Sequence, residues 1–429
     1  MSRDPDLALP ERWLEGSLLL FAAVVPVSVA ASQICLAVLV AVWLVLLVRG
    51  AGAWRRRPGL AELGIACLVA GGIIACLVNR VPHQILEVFD NHAVLLALPA
   101  LVVVARRRPL VYRRAVILAA TVGACVGIYG IWQHFVGLDL IRERVLEVRG
   151  DVFIVKGTFS HHLTYGGSAM LALMAGLGLA YAGARLRFLP SLLLLPLALG
   201  LVWSYARSAW LGGFAGTGAL VLAGSLAGSL AGSLRRLLLV AAALLVVVAG
   251  FVLVDPSVRG HVAATADLVH APPPRVRIWQ STLRMLADHP LGIGPGRFAA
   301  LFPVYRVPGD YDSTVHAHAD MLRALTDAGP VGLAGYLLLV PGAVVLAFRG
   351  LRRRQRRAVA GAATAGAPAA QHRAAAERDL LAVALAASTA FAIAGLLQTY
   401  FWDLEDLMLW LLLAVPAFAG REPEASSPA

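Results

Sequence analysis

Long apolar runs, broken by short segments rich in arginine, glycine and proline, repeat along the chain from about residue 14 to residue 420. A helix crosses the hydrocarbon of a bilayer with about 20 such residues. Twelve stretches approach that length: 14–31, 33–49, 59–79, 91–105, 114–135, 164–183, 188–203, 208–230, 237–254, 331–348, 379–398 and 404–420. Helices satisfy their own backbone hydrogen bonds in lipid, so the pattern predicts an all-α polytopic membrane protein of about 12 spans. The first run follows Asp4 and Asp6 and is succeeded at once by a second run, so it reads as a span and not as a cleaved leader.

Composition supports this reading, because 59% hydrophobic residues and a mean hydropathy of +0.76 exceed what a soluble domain hides from water. Charge then orients the spans. With the N-terminus in the cytoplasm, the even-numbered loops carry Arg49 and Arg55 to Arg57, Arg106 to Arg108 with Arg113 and Arg114, Arg185 and Arg187, Arg235 and Arg236, and Arg349 to Arg357. Cytoplasmic loops collect basic residues, so the alternation places both termini inside. The net charge of +12 is mostly this topology signal and argues against a nucleic-acid partner. Cys35, Cys67, Cys76 and Cys125 all fall within spans, so no disulfide framework is implied.

The expected organisation is 1–135 for spans one to five, 136–163 for an outer loop, and 164–254 for spans six to nine. Residues 255–330 form a large outer subdomain between spans nine and ten, and 331–420 hold the last three spans with a cytoplasmic linker at 349–378. Within that linker, 358–375 reads as flexible, and 421–429 as a disordered tail. After Pro272 to Pro274, the run from Arg275 to Leu286 reads as an amphipathic helix able to lie on the membrane surface.

Arginines on the outer side run against the charge rule, and the outer subdomain holds Arg259, Arg275, Arg277, Arg284, Arg297, Arg306 and Arg323. Arg207, flanked by Trp203 and Trp210, sits where two spans meet with a very short connection. It reads either as an interfacial arginine snorkelling beside belt tryptophans or as an anion-binding arginine at a cavity mouth. Guanidinium groups bind phosphate oxygens in pairs and stay charged, so converging arginines suit a diphosphate. Arg275 and Arg277 each also fit a solvated or headgroup-facing charge.

His316 and His318 precede the apolar helix that follows Gly329 and Pro330. Their spacing lacks supporting cysteine or carboxylate ligands, so no metal site is assigned. An imidazole there suits a general base, or a structural cap on the following helix. Asp403, Glu405 and Asp406 are candidates to support an arginine or histidine.

The segments Ser204–Trp210, Arg275–Trp279 leading to Asp288–Phe298, and His318–Leu322 with Asp327–Gly332, in this order, resemble the O-antigen ligase and polymerase superfamily over about residues 150–350. The resemblance implies a GT-C-like membrane glycosyltransferase. Such an enzyme moves glycan from undecaprenyl diphosphate to an acceptor hydroxyl at the periplasmic face of the bacterial inner membrane, with inversion and without metal or cofactor. It implies that Arg207 and Arg275 hold the diphosphate, with Arg277 a rival for the second role, and that His318 is the base. Ala319 stands where the family commonly has asparagine, and Tyr205-Ala206 separate the serine from Arg207. The stretch Lys156–His162, with Gly157-Thr158-Phe159 inside it, resembles the family's Gly-Thr-Phe segment, and its Lys156, His161 and His162 join His316 and Arg297 as further substrate-binding candidates.

The expected partners are an undecaprenyl-diphosphate-linked glycan, a lipid A-core acceptor and membrane lipids, with the protein a monomer. Twelve spans and one dominant late outer loop favour ligase. A polymerase or a protein-glycosylating relative shares the motifs, and a flippase would use the arginines without chemistry.

Overall fold

The computed structural model describes residues 5–50, 54–55, 57–149, 152–181, 189–225, 249–250, 259, 274–309, 311, 314, 316–360 and 368–420. Helix α1 (Pro5–Val24), α2 (Val29–Val48), α3 (Leu60–Val78), α4 (Ile85–His92), α5 (Leu98–Arg107) and α6 (Pro109–Val136) form the first half. They are followed by α7 (His162–Tyr181), α8 (Leu189–Trp203), α9 (Arg207–Ser225), α10 (Pro274–Asp288) and α11 (Phe298–Tyr305). Helices α12 (Asp320–Ala360), α13 (Pro368–Gly395) and α14 (Leu404–Ala414) complete the chain. Two short antiparallel ladders pair 138–139 with 144–145 and 148–149 with 152–153.

Among the described residues, seven helical segments are long and apolar enough to cross a membrane: Val29–Val48, Leu60–Val78, Pro82–Arg107, Pro109–Val136, His162–Tyr181, Asp320–Arg356 and Pro368–Gly395. The chain is an all-α, multi-pass membrane protein. Other expected stretches differ for local reasons. The stretch 14–31 is cut at Pro26, which cannot donate a backbone hydrogen bond; α1 ends at Val24, and Ser28 caps α2 through the amide of Ala31. The stretch 91–105 falls within the longer segment Pro82–Arg107, which includes a tight 3₁₀ turn at Ala93–Ala97, and 404–420 ends in another at Val415–Ala419. Most of 237–254, with Arg185, Arg187, Arg235 and Arg236 and the tail 421–429, lies outside the described residues.

The linker expected at 349–378 is largely helical instead. Helix α12 runs to Ala360, and α13 starts at Pro368, braced by Glu377 accepting from Arg354 at 2.6 Å and from Arg373 at 3.1 Å. These bonds belong to one end of the bundle, where Arg108 also pairs with Glu11 and Glu15, and Arg113 with Asp379. Among the described residues, the arginine-bearing segments around Arg106 to Arg113 and Arg349 to Arg373 thus gather together. The loops before α7 and α9, the end of α10 and the start of α12 gather at the other end.

The boundary expected at residue 330 is a kink inside α12, where Gly329 has φ 63° and ψ −164°. A Cβ on Gly329 would meet the carbonyl oxygen of Leu291 at 2.5 Å, and one on Gly292 would meet the amide of Gly329 at 2.7 Å. The glycines of the two motifs therefore let two backbones touch, sealed by the Ile293 amide donating to Thr326. Asn79 at the end of α3 donates to the Gly292 carbonyl, tying this turn to the bundle.

Helices α10 and α11 share a small core of Ile278, Met285, Ile293, Phe298, Phe302, Tyr311 and Ala317. Ile278 and Met285 of α10 are thereby buried against protein, while Leu283 of the same helix stays exposed.

Candidate active site

Among the described residues, four non-glycine residues lie in the left-handed region, Arg80, Glu143, Tyr205 and His318, and two of these turns belong to candidate motifs: Tyr205 at φ 55° and His318 at φ 50°. Such conformations persist only where surrounding contacts enforce them. At the first turn, the Ser204 hydroxyl donates to Leu201 O and accepts from the Ala206 amide, so the chain reverses sharply and α9 begins at Arg207. Arg207 is exposed at the N-terminus of α9, where the helix dipole adds to its positive charge. Trp203 is buried and stacks on His134 at 4.1 Å, and Trp210 donates to Leu201 O.

At the second turn, the indole of Trp279 donates to the carbonyl of Ala317 at 3.0 Å. Arg275 lies four residues earlier on the same face of α10, so this one bond sets the arginine against the histidine loop. Burial depresses the Arg275 guanidinium pKa; nearby Tyr400 opposes that shift and Arg207 adds to it. The same Arg275 charge is felt by His316 and His318. Arg207 is near enough to be felt by Arg275, and Arg275 near enough to be felt by His318, so the three segments that carry them approach one another. Among the described residues, no carboxylate pairs with Arg275.

Arg277 points elsewhere, because two residues along a helix turn the side chain by about 200°. Its guanidinium lies over Gly309, where a Cβ would overlap it. Arg297 donates to Ile293 O at 3.1 Å and closes the glycine-rich turn, near Cys76 and Glu87 rather than the histidine loop. Lys156, His161 and His162 form a second group. Lys156 Nζ lies 3.9 Å from Glu147, the imidazoles of His161 and His162 stack at 4.7 Å, and His162 bonds to Ser204 O at 2.8 Å. This group borders the Arg207 turn through Ser204. Burial and Lys156 pull the His161 imidazole below its ordinary value.

The two histidines of the loop are not equivalent. Nδ1 of His316 accepts the backbone N–H of His318 at 3.2 Å, and Thr399 lies 3.4 Å from the same ring. Burial, with His318, Arg323 and Arg275 nearby, drives His316 down to about 3, so it is neutral and braces the strained turn. In His318, burial also lowers the imidazole; Gln398 opposes that shift and Arg275 reinforces it. His318 is therefore neutral, with a lone pair to offer, at neutral pH.

The segment between α13 and α14 joins these parts and was not legible as a unit in the sequence. Gln398 bonds His318, Thr399 contacts His316, Tyr400 bonds Ser208 beside Arg207 at 2.9 Å, and the Phe401 amide donates to Asp320 at the start of α12. Asp403 accepts from Thr164 of α7 at 2.6 Å. Burial and the neighbouring Glu405 raise the Asp403 carboxyl to about 7. Asp403 therefore supports a threonine rather than an arginine or histidine. Asp406 is buried against Gly167. Among the described residues, no three His, Cys, Asp or Glu side chains are grouped as metal ligands.

Residues 192–337 match the family model for O-antigen ligase. The chain carries an O-antigen ligase superfamily domain. None of the curated proteins matches it. The matched O-antigen ligase region spans α8 to the first turns of α12 and contains Arg207, Arg275, Arg277, Arg297, His316 and His318. Lys156, His161, His162 and the Gln398–Asp403 segment lie outside it.

Proposed function

We propose that this protein is an O-antigen ligase. It would transfer O-antigen polysaccharide from undecaprenyl diphosphate to a sugar hydroxyl of lipid A-core, at the periplasmic face of the inner membrane. What supports this reading is that Arg275 lies close enough to Arg207 and to His318 for its charge to be coupled to both. The acceptor hydroxyl gives its proton to His318, and its oxygen forms a bond to the anomeric carbon. The bond from that carbon to the diphosphate oxygen breaks on the opposite face, and its electron pair leaves with the polyprenyl diphosphate. Attack opposite the leaving group inverts the anomeric centre.

Charge on the departing diphosphate grows as that bond breaks, so fixed guanidiniums stabilise the transition state more than the ground state. The two arginines and the N-terminus of α9 fill the electrostatic role that a divalent ion plays in other glycosyl transfers, and the reading needs no metal. The side group of Lys156, His161 and His162 would contact the glycan or its lipid carrier near the Ser204 turn.

The test is transfer from undecaprenyl-diphosphate glycan to purified lipid A-core in detergent with EDTA, comparing wild type with His318→Ala. Product from wild type and none from a folded mutant supports the ligase. Lengthening of the lipid-linked glycan without transfer to lipid A-core would reassign the protein as a polymerase. Transfer undiminished in His318→Ala would remove the base.

A further inference from the structure

Both ring nitrogens of His318 are engaged. Nδ1 lies 3.3 Å from Oε1 of Gln398, and Nε2 lies 3.0 Å from Oγ1 of Thr314. An amide oxygen only accepts, so it places the imidazole proton on Nδ1 and leaves the lone pair of the neutral ring on Nε2. A hydroxyl both donates and accepts, and Thr314 Oγ1 has a second partner in the His316 carbonyl at 2.9 Å. Its one proton can point to Nε2 while that nitrogen is bare. It can turn to the His316 carbonyl when an acceptor hydroxyl takes the place at Nε2, or when Nε2 has become an N–H donor.

We infer that Gln398 is a positioning residue for His318, holding the tautomer in which Nε2 is the basic nitrogen, and that Thr314 satisfies Nε2 until the acceptor hydroxyl arrives. The inference rests on the reading of His318 as base. In the transfer step, the acceptor proton passes to Nε2, Nδ1 keeps its own proton, and the resulting imidazolium donates to Gln398 on one side. Thr314 accepts on the other side once the product oxygen has left. The imidazolium then returns its extra proton to solvent.

A neutral amide suits this position better than a carboxylate. The charged and titratable groups facing the ring are Arg275 from α10 and His316 from its own loop, with Arg323 of α12 acting on His316 and Arg207 acting on Arg275. With that positive surround and an uncharged partner, His318 remains unprotonated at the pH where it must accept a proton. A carboxylate at 398 would favour the imidazolium.

The experiment uses the full chain in detergent with a polyprenyl-diphosphate-linked oligosaccharide as donor and lipid A-core as acceptor. Release of polyprenyl diphosphate is followed between about pH 5 and 9, the range over which a histidine changes charge. Gln398→Leu is expected to lower kcat about 10- to 100-fold, part of the ~10²–10⁴ that a positioned base contributes, with the donor KM within about twofold. Gln398→Glu keeps the acceptor atom, and it is expected to retain activity at high pH while its acid limb moves up by about one pH unit. Its activity also shows that position 398 tolerates replacement without loss of the fold.

Wild-type kcat in Gln398→Leu, or an unmoved acid limb in Gln398→Glu, would overturn the inference. His318→Ala, assayed beside them, separates the two levels. Inactive His318→Ala with unaffected Gln398→Leu removes only the positioning role, whereas active His318→Ala removes the base itself.

Discussion

Trp279 offers the sharpest test of how the site is assembled, because one indole N–H joins the arginine helix to the histidine turn. Trp279→Phe keeps an aromatic ring against the loop and deletes only the donor to Ala317 O, a bond of 3.0 Å to a residue with no solvent exposure. Leaving a buried carbonyl without its donor costs about 1–3 kcal/mol. The turn it anchors also holds His318 at φ 50°, a conformation that costs about 1–3 kcal/mol and reverts when its restraints weaken. If about 1–2 kcal/mol of the loss falls on the competent loop geometry, its population drops about 5- to 30-fold. The expected outcome is therefore a kcat reduced by that factor, a donor KM nearly unchanged, and a modest fall in thermal stability in detergent. Single-turnover transfer with saturating donor measures the first quantity directly. A Trp279→Phe enzyme with kcat within about twofold of wild type would refute the claim that this bond positions the histidine turn.

Other outcomes follow from the same geometry. Arg207→Lys and Arg275→Lys keep charge but lose the paired donors, and each should lower kcat/KM for the donor about tenfold or more, while Arg277→Ala should leave it within about threefold and instead loosen the loop around Gly309; donor titrations on the three variants check this. The acid limb of kcat/KM should lie below about pH 6.5, because burial and Arg275 lower the His318 imidazole and a base is lost only as pH falls through its own pKa; a pH series with wild type measures it. Gly329→Ala should destabilise the protein by at least about 1–2 kcal/mol, since it forces a side chain into the left-handed region and against Leu291 O at 2.5 Å; a lowered Tm in detergent is the readout.

Much of the candidate site was visible as local pattern. The arginine of Ser204–Trp210, the Arg275–Trp279 pair and the histidines before α12 stand out because charge beside apolar spans is costly unless it is used. What local pattern could not supply was direction. Arg275 and Arg277 are equivalent in a string of letters, and only the rotation of α10 against its small core separates them. Gln398, Thr314 and Tyr400 are ordinary residues whose meaning comes from where three distant segments meet. Span ends were misplaced where proline or a 3₁₀ turn interrupts an apolar run that hydropathy alone reads as continuous. The stretch 358–375 looked flexible for its alanine and glycine content, yet ion pairs to Glu377 keep its last part, from Pro368, helical.

By itself the sequence determined that this protein lives in a membrane as a bundle of helices, and it sorted the arginine-rich ends from the motif-bearing ones, because burial in lipid penalises every polar residue one at a time. It also marked the residue types able to hold a diphosphate and take a proton. The tertiary structure alone decided which arginine lies near the histidine, which groups meet its two ring nitrogens, and that the segment from Gln398 to Asp403 joins the motifs. Those properties depend on distances between groups far apart in the chain, and charge and hydrogen bonding act through space over a few ångströms, with no regard to sequence separation.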